Sequence, residues 1–307
     1  MANSGRRLSN LDLVNQADDF PNPQRNFLEW FAARQLYYPL RVDGIAAPVG
    51  IIHPKVVDAL RGLPEWRLDE TVGFKSVTID GNDEPSRSKI VADSLSQLRE
   101  TKRFDVLSRW RDELKPVFGF NNDVLFSVER AAAPLLGIQT PWISKRSQMT
   151  ANYSGMLDNT VSGGYRTGEI PLETVVREAD EEASLPADLV RRLARPCGTI
   201  SYFHHLDKYV TGEKYLVQPE VEYMYEMLAP EGVTPRPHDD EVEWFQLWDA
   251  DKIKDGLVQG LFKPSYALVL LDFFIRHDVL DTTNEPDYIE ISSRLRRTLE
   301  FPTRRDA

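Results

Sequence analysis

The hydrophobic positions of residues 26–120 follow both helical and extended spacing. Apolar side chains recur one helical turn apart in segments 54–61 and 86–103, which predicts a helix in each, and the helical spacing continues through 104–117. A short apolar run at 46–52 predicts a strand. These elements predict a small α/β domain with its own core in this part of the chain.

From residue 121 onwards, the pattern predicts several strands around one strongly helical segment. Helical spacing is found at 172–184 and at 264–276, where Pro264 suits the first turn of a helix. Extended patterns predict strands at 121–133, 199–203, 214–217, 220–228 and 241–247. Strands combined with these helices indicate the α/β class, specifically an α/β/α sandwich with a mixed sheet.

The chain accordingly divides into four predicted parts. Residues 1–25 are polar and contain two prolines, which predicts a loose lead-in. Residues 26–120 form the predicted amino-terminal domain, and residues 121–285 form the second domain. The last residues, 286–307, are predicted to be a carboxy-terminal tail.

Composition and charge narrow the class of protein. The 307 residues include 37 basic and 48 acidic residues, a formal net charge of −11, which disfavours binding to a nucleic-acid backbone. The single cysteine, Cys197, has no partner for an internal disulfide and suits a reducing compartment. No apolar run approaches the roughly 18 residues that a membrane span needs. We therefore expect a cytoplasmic protein with no nucleic-acid or membrane partner, and the sequence leaves its oligomeric state open.

Candidate chemistry concentrates in residues 163–185, which read GGYRTGEIPLETVVREADEEASL. Within the helix predicted there, Glu178 and Glu182 lie one turn apart on one face, and Glu181 lies beside them. Like charges at this spacing repel one another, so a bound cation would offset the repulsion. Carboxylate oxygens favour hard cations, and Mg²⁺ or Mn²⁺ is the expected cofactor. The alternative is a charge run on the solvated face of a helix.

The spacing of this segment resembles the box motif of the Nudix family. The six matching positions are Gly163, Glu169, Arg177, Glu178, Glu181 and Glu182. Ser184 stands where the family usually has glycine, at a position that often takes the left-handed conformation. The resemblance implies a Nudix-type α/β/α sandwich and metal-dependent hydrolysis of a diphosphate bond in a small-molecule substrate.

The resemblance also implies a role for each residue of the motif. The implied metal ligands are Glu178, Glu181, Glu182 and a backbone carbonyl near Gly163. Glu178 would bind the metal or act as the base that deprotonates water. Together with Glu178, the predicted catalytic residues are Arg177 and Glu169. These two would orient the carboxylates and brace the junction between loop and helix.

Further candidate residues lie outside the box. Glu241 or Asp240 would supply another ligand or contact the substrate, although a solvated loop explains this acidic cluster equally well. Lys145 and Arg146 follow a short predicted strand and are candidates for holding a substrate phosphate, the alternative being a surface pair. The histidines at 204–205 would point to opposite faces of a strand, which favours a structural role.

Several other segments resemble a narrower group, the thiamine-pyrophosphokinase-related Nudix proteins, which carry an extra amino-terminal domain. These segments are WISKRS at 142–147, GMLDNTVSGG at 155–164, EEASLP at 181–186, GTISY at 198–202, DEVEWF at 240–245 and FKP at 262–264. Serine is usual at position 184 in this group. The resemblance covers about residues 25–300 and is strongest over 140–275.

The narrower resemblance implies hydrolysis of thiamine diphosphate-like compounds, notably oxidised, damaged forms, to the monophosphate, which is a metabolite-repair activity. The amino-terminal domain would recognise the organic end, with Trp110 either stacking on a ring or packing in the core. The alternatives are another Nudix substrate, such as ADP-ribose or a dinucleotide, and a non-catalytic Nudix-fold binding module. Cys197 lies outside the box, which argues against an isopentenyl diphosphate isomerase, since those enzymes need a Cys and Glu pair.

Overall fold

The structure of the protein is a computed structural model. It describes residues 7–45, 47–71, 74–119, 123–138, 140–141, 153–164, 166–206, 213–238 and 242–302. The helices within these ranges are α1 (Asn10–Ala17), α2 (Phe27–Arg34), α3 (Pro54–Leu60), α4 (Glu84–Glu100), α5 (Pro171–Ala183), α6 (Ala187–Leu193), α7 (Ala250–Val258), α8 (Pro264–Arg276) and α9 (Tyr288–Arg294). The strands are β1 (Tyr38–Val42), β2 (Gly50–Ile52), β3 (Trp66–Asp69), β4 (Ser76–Ile79), β5 (Leu114–Phe118), β6 (Val124–Glu129), β7 (Thr140–Pro141), β8 (Arg195–His205) and β9 (Val217–Glu226).

Four strands form the sheet of the amino-terminal unit, in the order β2-β1-β4-β3. β1 runs parallel to β4, and the other neighbours are antiparallel. Helix α4 begins at a capping box. Its residues Val91 and Leu95 are buried in the same core as the sheet. The helices predicted at 54–61 and 86–103 are confirmed as α3 and α4.

A hairpin of β5 and β6 replaces the helical continuation that the sequence predicts over 104–117. The two strands are antiparallel, with Val117 opposite Phe126, and both side chains are buried in the amino-terminal core. The helical prediction is wrong because a 3₁₀ turn, Asp105–Arg109, and a strand bury these apolar residues without a helical face. The domain boundary predicted at residue 120 falls between the two paired strands.

The second sheet has the order β7-β9-β8 among the described residues. β9 is parallel to β7 and antiparallel to β8. Helix α8 packs on one face of this sheet, where Leu271 contacts the cluster of Ile200 and Met224. Phe203, on the opposite face, shares a core with Ile51 of the amino-terminal unit. This mixed sheet and its packed helices confirm the predicted α/β class, consistent with an α/β/α sandwich.

Two strand predictions differ from the structure. A single strand, β9, covers 217–226, with Pro219 opposite Phe203, while residues 214–216 lie in a turn before it, so the separate strand predicted at 214–217 is wrong. Residues 242–247 form no strand, so the strand predicted at 241–247 is wrong over its described part. Val242 is buried and Phe245 is partly buried, but the other side chains are exposed, Leu247 fully so, and so few buried side chains give little to hold a strand in a sheet.

The described residues near the two ends of the chain, 7–25 and 286–302, contain packed helices, where the sequence pattern predicts a loose lead-in and a tail. Helix α1 begins at a capping box at Ser9 and packs against α8 and α9. Leu13 and Val14 of α1 share a core with Ile291 of α9. The polar residues around these short helices conceal their apolar faces in the sequence pattern.

A buried ion cluster joins the end of α1 to residues 294–297 of the carboxy-terminal segment. The carboxylate of Asp18 accepts hydrogen bonds from Arg297 Nη1 at 2.7 Å and from Arg294 Nε at 3.2 Å. The same carboxylate accepts the backbone N–H of Phe203 on β8 at 3.0 Å. All three charged side chains are buried. The cluster therefore ties α1 and the carboxy-terminal segment to the second sheet.

Candidate active site

Helix α5 carries the acidic residues of the box and begins with Pro171 in its first turn. Val176 and Ala179 are buried on the face that packs against α6. The helix ends at Ser184, whose φ of 52° is left-handed. Serine thus adopts the conformation for which glycine is usual at this position. The helix predicted over 172–184 is confirmed.

Arg177 lies at the centre of the acidic residues. Its Nε and Nη2 donate to the two carboxylate oxygens of Glu169 at 2.7 and 3.1 Å, and Nη2 also donates to the carbonyl of Gly164 at 3.0 Å. Its Nη1 donates to Glu178 Oε1 at 2.6 Å and to Glu181 Oε2 at 3.0 Å. These charge-assisted hydrogen bonds hold the loop before α5 and the helix itself in one arrangement.

Glu169 is the fixed anchor of this arrangement. It accepts hydrogen bonds from the Thr174 hydroxyl at 2.9 Å and from the Arg166 backbone N–H at 3.2 Å, in addition to those from Arg177. Burial acts to raise the pKa of Glu169, but the hydrogen bonds, that of Arg177 foremost, bring the pKa below its ordinary value. Its ionised carboxylate can therefore brace the junction between loop and helix.

Glu178 packs directly against Gly163. A Cβ built on Gly163 would lie 1.6 Å from Cδ of Glu178, so only glycine leaves room for this carboxyl group. Burial raises the pKa of Glu178 to about 7, against the opposing attraction of Arg177. A carboxyl group whose pKa lies near neutrality is suited to accept a proton at neutral pH.

Replacing Gly163 by Ala should displace Glu178, because the new methyl group and the carboxyl group cannot share the same space. We expect kcat to fall by about 10²-fold, the loss that a displacement of about 1 Å can cause. Gly168→Ala is the matched control in the same loop. A Cβ at Gly168 meets no atom within 4 Å, and its φ of 89° makes backbone strain the main cost. Equal losses of kcat in the two variants would contradict the steric explanation.

Glu182 is the most deeply buried of the box carboxylates, at 3% exposure. Its Oε2 accepts the backbone N–H of Ser162 at 2.8 Å. The hydroxyl of Ser162 is also buried, and it has no hydrogen-bond partner within the described part of the chain. A buried carboxylate beside a buried hydroxyl is a polar surrounding that suits a hydrated cation.

The donor atoms of the box fit a hard cation. Glu178, Glu181 and Glu182 offer only carboxylate oxygens, which Mg²⁺ and Mn²⁺ prefer. As the side chains stand, no three acidic, His or Cys residues among those described converge on one point. Glu178 and Glu181 instead share Nη1 of Arg177. Holding an ion therefore requires these carboxylates to shift from the positions that they occupy here.

Residues 236–238 run beside the end of α5. The predicted site residues that lie outside the described residues are Lys145, Arg146, Asp240 and Glu241. Just before two of them, the backbone N–H of His238 donates to the Glu182 carbonyl at 3.3 Å, and its Nδ1 lies 2.8 Å from the Asp180 carbonyl. Residues 236–238 thus lie beside the box helix, while the roles of the four residues stay predictions.

The histidines at 204–205 have separate partners. His205 Nδ1 lies 3.2 Å from Asp19 Oδ1, and His204 Nε2 lies 3.7 Å from Glu220 Oε1. These contacts agree with the expectation that adjacent strand residues point to opposite faces.

A second buried polar group lies between β8, β9 and the start of α8. The Tyr202 hydroxyl donates to Glu222 Oε1 at 2.8 Å and also contacts the carboxylate of Glu220. Lys263 Nζ lies 3.6 Å from Asp158 Oδ2. Burial raises the pKa of Glu222 to about 7, against the attraction of Lys263. Because Tyr202 joins the two glutamates, the group is a hydrogen-bonded network that the sequence analysis does not predict.

A group of charged residues on the β5–β6 hairpin is likewise not predicted from the sequence. Lys115 is fully buried and lies against Gly164. Glu113 accepts hydrogen bonds from Lys115 and, at 2.8 Å, from Arg130 Nη1. Burial lowers the pKa of Lys115 to about 8, against the attraction of Glu113. No local pattern signals this contact, because it depends on how the hairpin docks on the box.

A mixed α/β fold with an arginine-centred acidic helix beside two glycines defines a hydrolase of the Nudix type. The Nudix domain family matches residues 130–265, and a domain of unknown function, DUF4743, matches residues 22–140. The chain is 30% identical to Nudix hydrolase 20, chloroplastic, of Arabidopsis thaliana, over 81% of this chain and 70% of that protein. This chain belongs to the Nudix hydrolase family.

Two further relatives resemble the chain. It is 32% identical to Nudix hydrolase 24, chloroplastic, of Arabidopsis thaliana, over 61% of this chain and 53% of that protein. It is 29% identical to an uncharacterized protein of Saccharomyces cerevisiae, over 95% of this chain and 92% of that protein. Family membership confirms the predicted enzyme class and its small-molecule type of substrate.

No helix within the described residues has the length and apolar character to cross a membrane. The names of the two plant relatives place those proteins in the chloroplast, so the cytoplasmic location of this chain stays a prediction.

The matches of the two domain families overlap at residues 130–140, and the predicted boundary at residue 120 also stays a prediction.

Proposed function

We propose that this Nudix hydrolase cleaves the diphosphate bond of thiamine diphosphate, or of an oxidised, damaged form of it, to give the monophosphate. The observation that supports the catalytic part is the position of Glu178, which is packed on Gly163 and bonded by Arg177. Thiamine diphosphate as the substrate is supported by the sequence segments that resemble the thiamine-pyrophosphokinase-related group.

The proposed cation site lies on α5. Its ligands are Glu178, Glu181, Glu182 and a backbone carbonyl near Gly163. A bound Mg²⁺ or Mn²⁺ would neutralise charge on the phosphate oxygens and make a coordinated water more acidic. Arg177 and Glu169 would act by keeping the helix and the preceding loop in register, through the hydrogen bonds that join them.

The proposed reaction requires the chain to position a water molecule and to accept the proton that this water loses. Water adds to one phosphorus of the diphosphate, and the bond from that phosphorus to the bridging oxygen breaks. Glu178 would take the proton that the water loses, a role that its place against Gly163 supports. The products are thiamine monophosphate and inorganic phosphate.

Recognition of the two ends of the substrate is divided between parts of the chain. Lys145, Arg146 and Glu241 are proposed to contact the substrate, the two basic residues at its phosphates. The amino-terminal unit is proposed to recognise the organic group. For Trp110, the structure favours packing in the core over stacking on a substrate ring. Its ring packs against the amino-terminal core, and the Arg99 guanidinium lies 5.0 Å from the ring centre.

A comparison of substrates tests the proposal. The purified chain is given thiamine diphosphate, its oxo form, ADP-ribose or NADH at equal concentrations with Mg²⁺, and the products are separated by chromatography. We expect the thiamine compounds to be cleaved fastest, with the oxidised form preferred. Chelation with EDTA should abolish turnover, and added Mg²⁺ or Mn²⁺ should restore it, because the carboxylates of the box need the cation.

Other outcomes would assign the chain to one of the alternatives. Rates on ADP-ribose or NADH that equal or exceed those on the thiamine compounds would contradict the proposed substrate. Binding of a diphosphate compound without turnover of any of the four would support a non-catalytic Nudix-fold module. Turnover that persists in EDTA would contradict the proposed cation site.

A further inference from the structure

A buried cation from the β5–β6 hairpin lies against the box. Lys115 of β5 is 1% exposed, and a Cβ built on Gly164 would lie 2.2 Å from its Nζ. The carbonyl of the same glycine accepts a hydrogen bond from Arg177 at 3.0 Å. Gly164 is therefore in contact with two cationic side chains, one from the hairpin and one from α5.

Glu113 holds this lysine in place. It accepts the hydrogen bond from Lys115 Nζ and another from Arg130 Nη1 at 2.8 Å. The backbone N–H of Glu113 in turn donates to Glu129 at 3.1 Å. An ammonium group without a partner is costly to bury, so the carboxylate of Glu113 allows Lys115 to stay charged against Gly164.

The hairpin also holds the other end of the loop that leads into α5. The backbone N–H of Thr167 donates to the Leu114 carbonyl at 3.3 Å, and the hydroxyl of Thr167 lies 3.2 Å from that of Ser127. Contacts at Gly164 and at Thr167 thus attach the loop at two points. Gly163 directly precedes Gly164, and Glu178 packs against Gly163.

We infer that Lys115 is a positioning residue of the active site: it fixes the Gly163–Gly164 segment and places a positive charge against the glycine next to the one on which Glu178 packs. The inference rests on the proposed role of Glu178 as metal ligand and base. Lys115 precedes the residues matched by the Nudix domain family, 130–265. The preceding part of the chain therefore completes the catalytic centre, in addition to any role in recognising substrate.

The variants Lys115→Met and Lys115→Arg test this inference in the full-length chain. Mn²⁺ binding is measured by electron paramagnetic resonance without substrate, and kcat and KM are measured on the fastest substrate. We expect Lys115→Met to weaken Mn²⁺ binding and to lower kcat by about 10–100-fold, the usual cost of losing a residue that orients metal ligands. KM should change little, and Lys115→Arg should recover most of the loss because it keeps the charge.

Two controls separate positioning from general damage. Lys89→Met removes an exposed lysine of α4 that pairs with Asp93, and it should behave like the wild type. A double-mutant cycle combines Lys115→Met with Gly164→Ala. Because a Cβ at Gly164 meets Lys115 first, we expect the two effects on kcat to be non-additive.

Several results would overturn the inference. One is wild-type Mn²⁺ binding and kcat in Lys115→Met. Another is a Lys115→Arg variant that has a native circular dichroism spectrum and melting temperature but is as defective as Lys115→Met. If Lys115→Met does not fold, Glu113→Gln removes the anchor of Lys115 with little change of shape, and wild-type Mn²⁺ binding by that variant would overturn the inference. A wild-type chain that binds no Mn²⁺ would contradict the proposed function itself.

Discussion

Replacing Glu178 by Gln is expected to lower kcat by about 10²–10⁴-fold, the range for loss of a general acid–base group. Glutamine keeps the shape that fits against Gly163, but it cannot accept a proton from water or act as an anionic ligand. Steady-state kinetics at saturating Mg²⁺ measures the effect. The matched control is Glu173→Gln on the same helix, where the side chain pairs with Arg191 at the surface. Wild-type kcat in Glu178→Gln, or an equal loss in the control, would contradict the proposed role.

The same variant tests the raised pKa of Glu178. In the metal-free protein, burial raises this pKa to about 7, so below that pH the carboxyl group is mostly protonated. A cation has to displace the proton, so the affinity of the wild type for Mn²⁺ should rise as the pH increases through about 7. Glutamine does not titrate. Mn²⁺ titrations on both sides of pH 7 should therefore show a weaker pH dependence in Glu178→Gln, and an unchanged dependence would assign the proton to another group.

Replacing Asp18 by Asn is expected to lower the free energy of unfolding by about 3–5 kcal/mol, the cost of removing one partner from a buried ion pair. Asparagine has nearly the same shape, but it removes the charge that Arg294 and Arg297 share and leaves Arg294 with the longer pair to Glu290 at 3.8 Å. Urea unfolding followed by circular dichroism measures the loss. Hydrogen exchange should show the largest loss of protection in α1 and α9, since the cluster joins these helices to β8.

The control for this prediction is Asp251→Asn. Asp251 is almost fully exposed, with Lys254 Nζ 3.8 Å away, and exposed pairs of this kind add little to stability. Its urea midpoint should match that of the wild type. A wild-type midpoint in Asp18→Asn would mean that the buried cluster does not stabilise the joined chain ends. Asp18 does not contact the box, so folded Asp18→Asn protein should keep the wild-type kcat.

The box could be predicted because its information is local. Glu178 and Glu182 lie one turn apart on α5, and Arg177 reaches Glu169 over only eight residues. Helical periodicity and the glycines before the helix therefore indicate the arrangement without knowledge of the rest of the fold. The long helices α4 and α8 were predictable for the same reason, since each buries one regular apolar face.

The failure at 104–117 shows where local patterns mislead. Its apolar residues have a spacing that fits a helix, but Val117 is buried as part of a strand paired with β6. Spacing alone cannot distinguish a short helix from a turn followed by a strand when both bury the same residues. The pairing partner decides between them, and the partner lies elsewhere in the chain.

By itself, the sequence determined the box helix, its acidic face and its suitability for a hard cation, because these depend on residue type and on the geometry of a single helix. Only the tertiary structure decided that Glu178 is buried and has a raised pKa, and that Lys115 of the preceding hairpin lies against Gly164. It also decided that Asp18 meets Arg294, 276 residues further along the chain. Burial and long-range contact depend on which elements pack together, and no local pattern of residues records that packing.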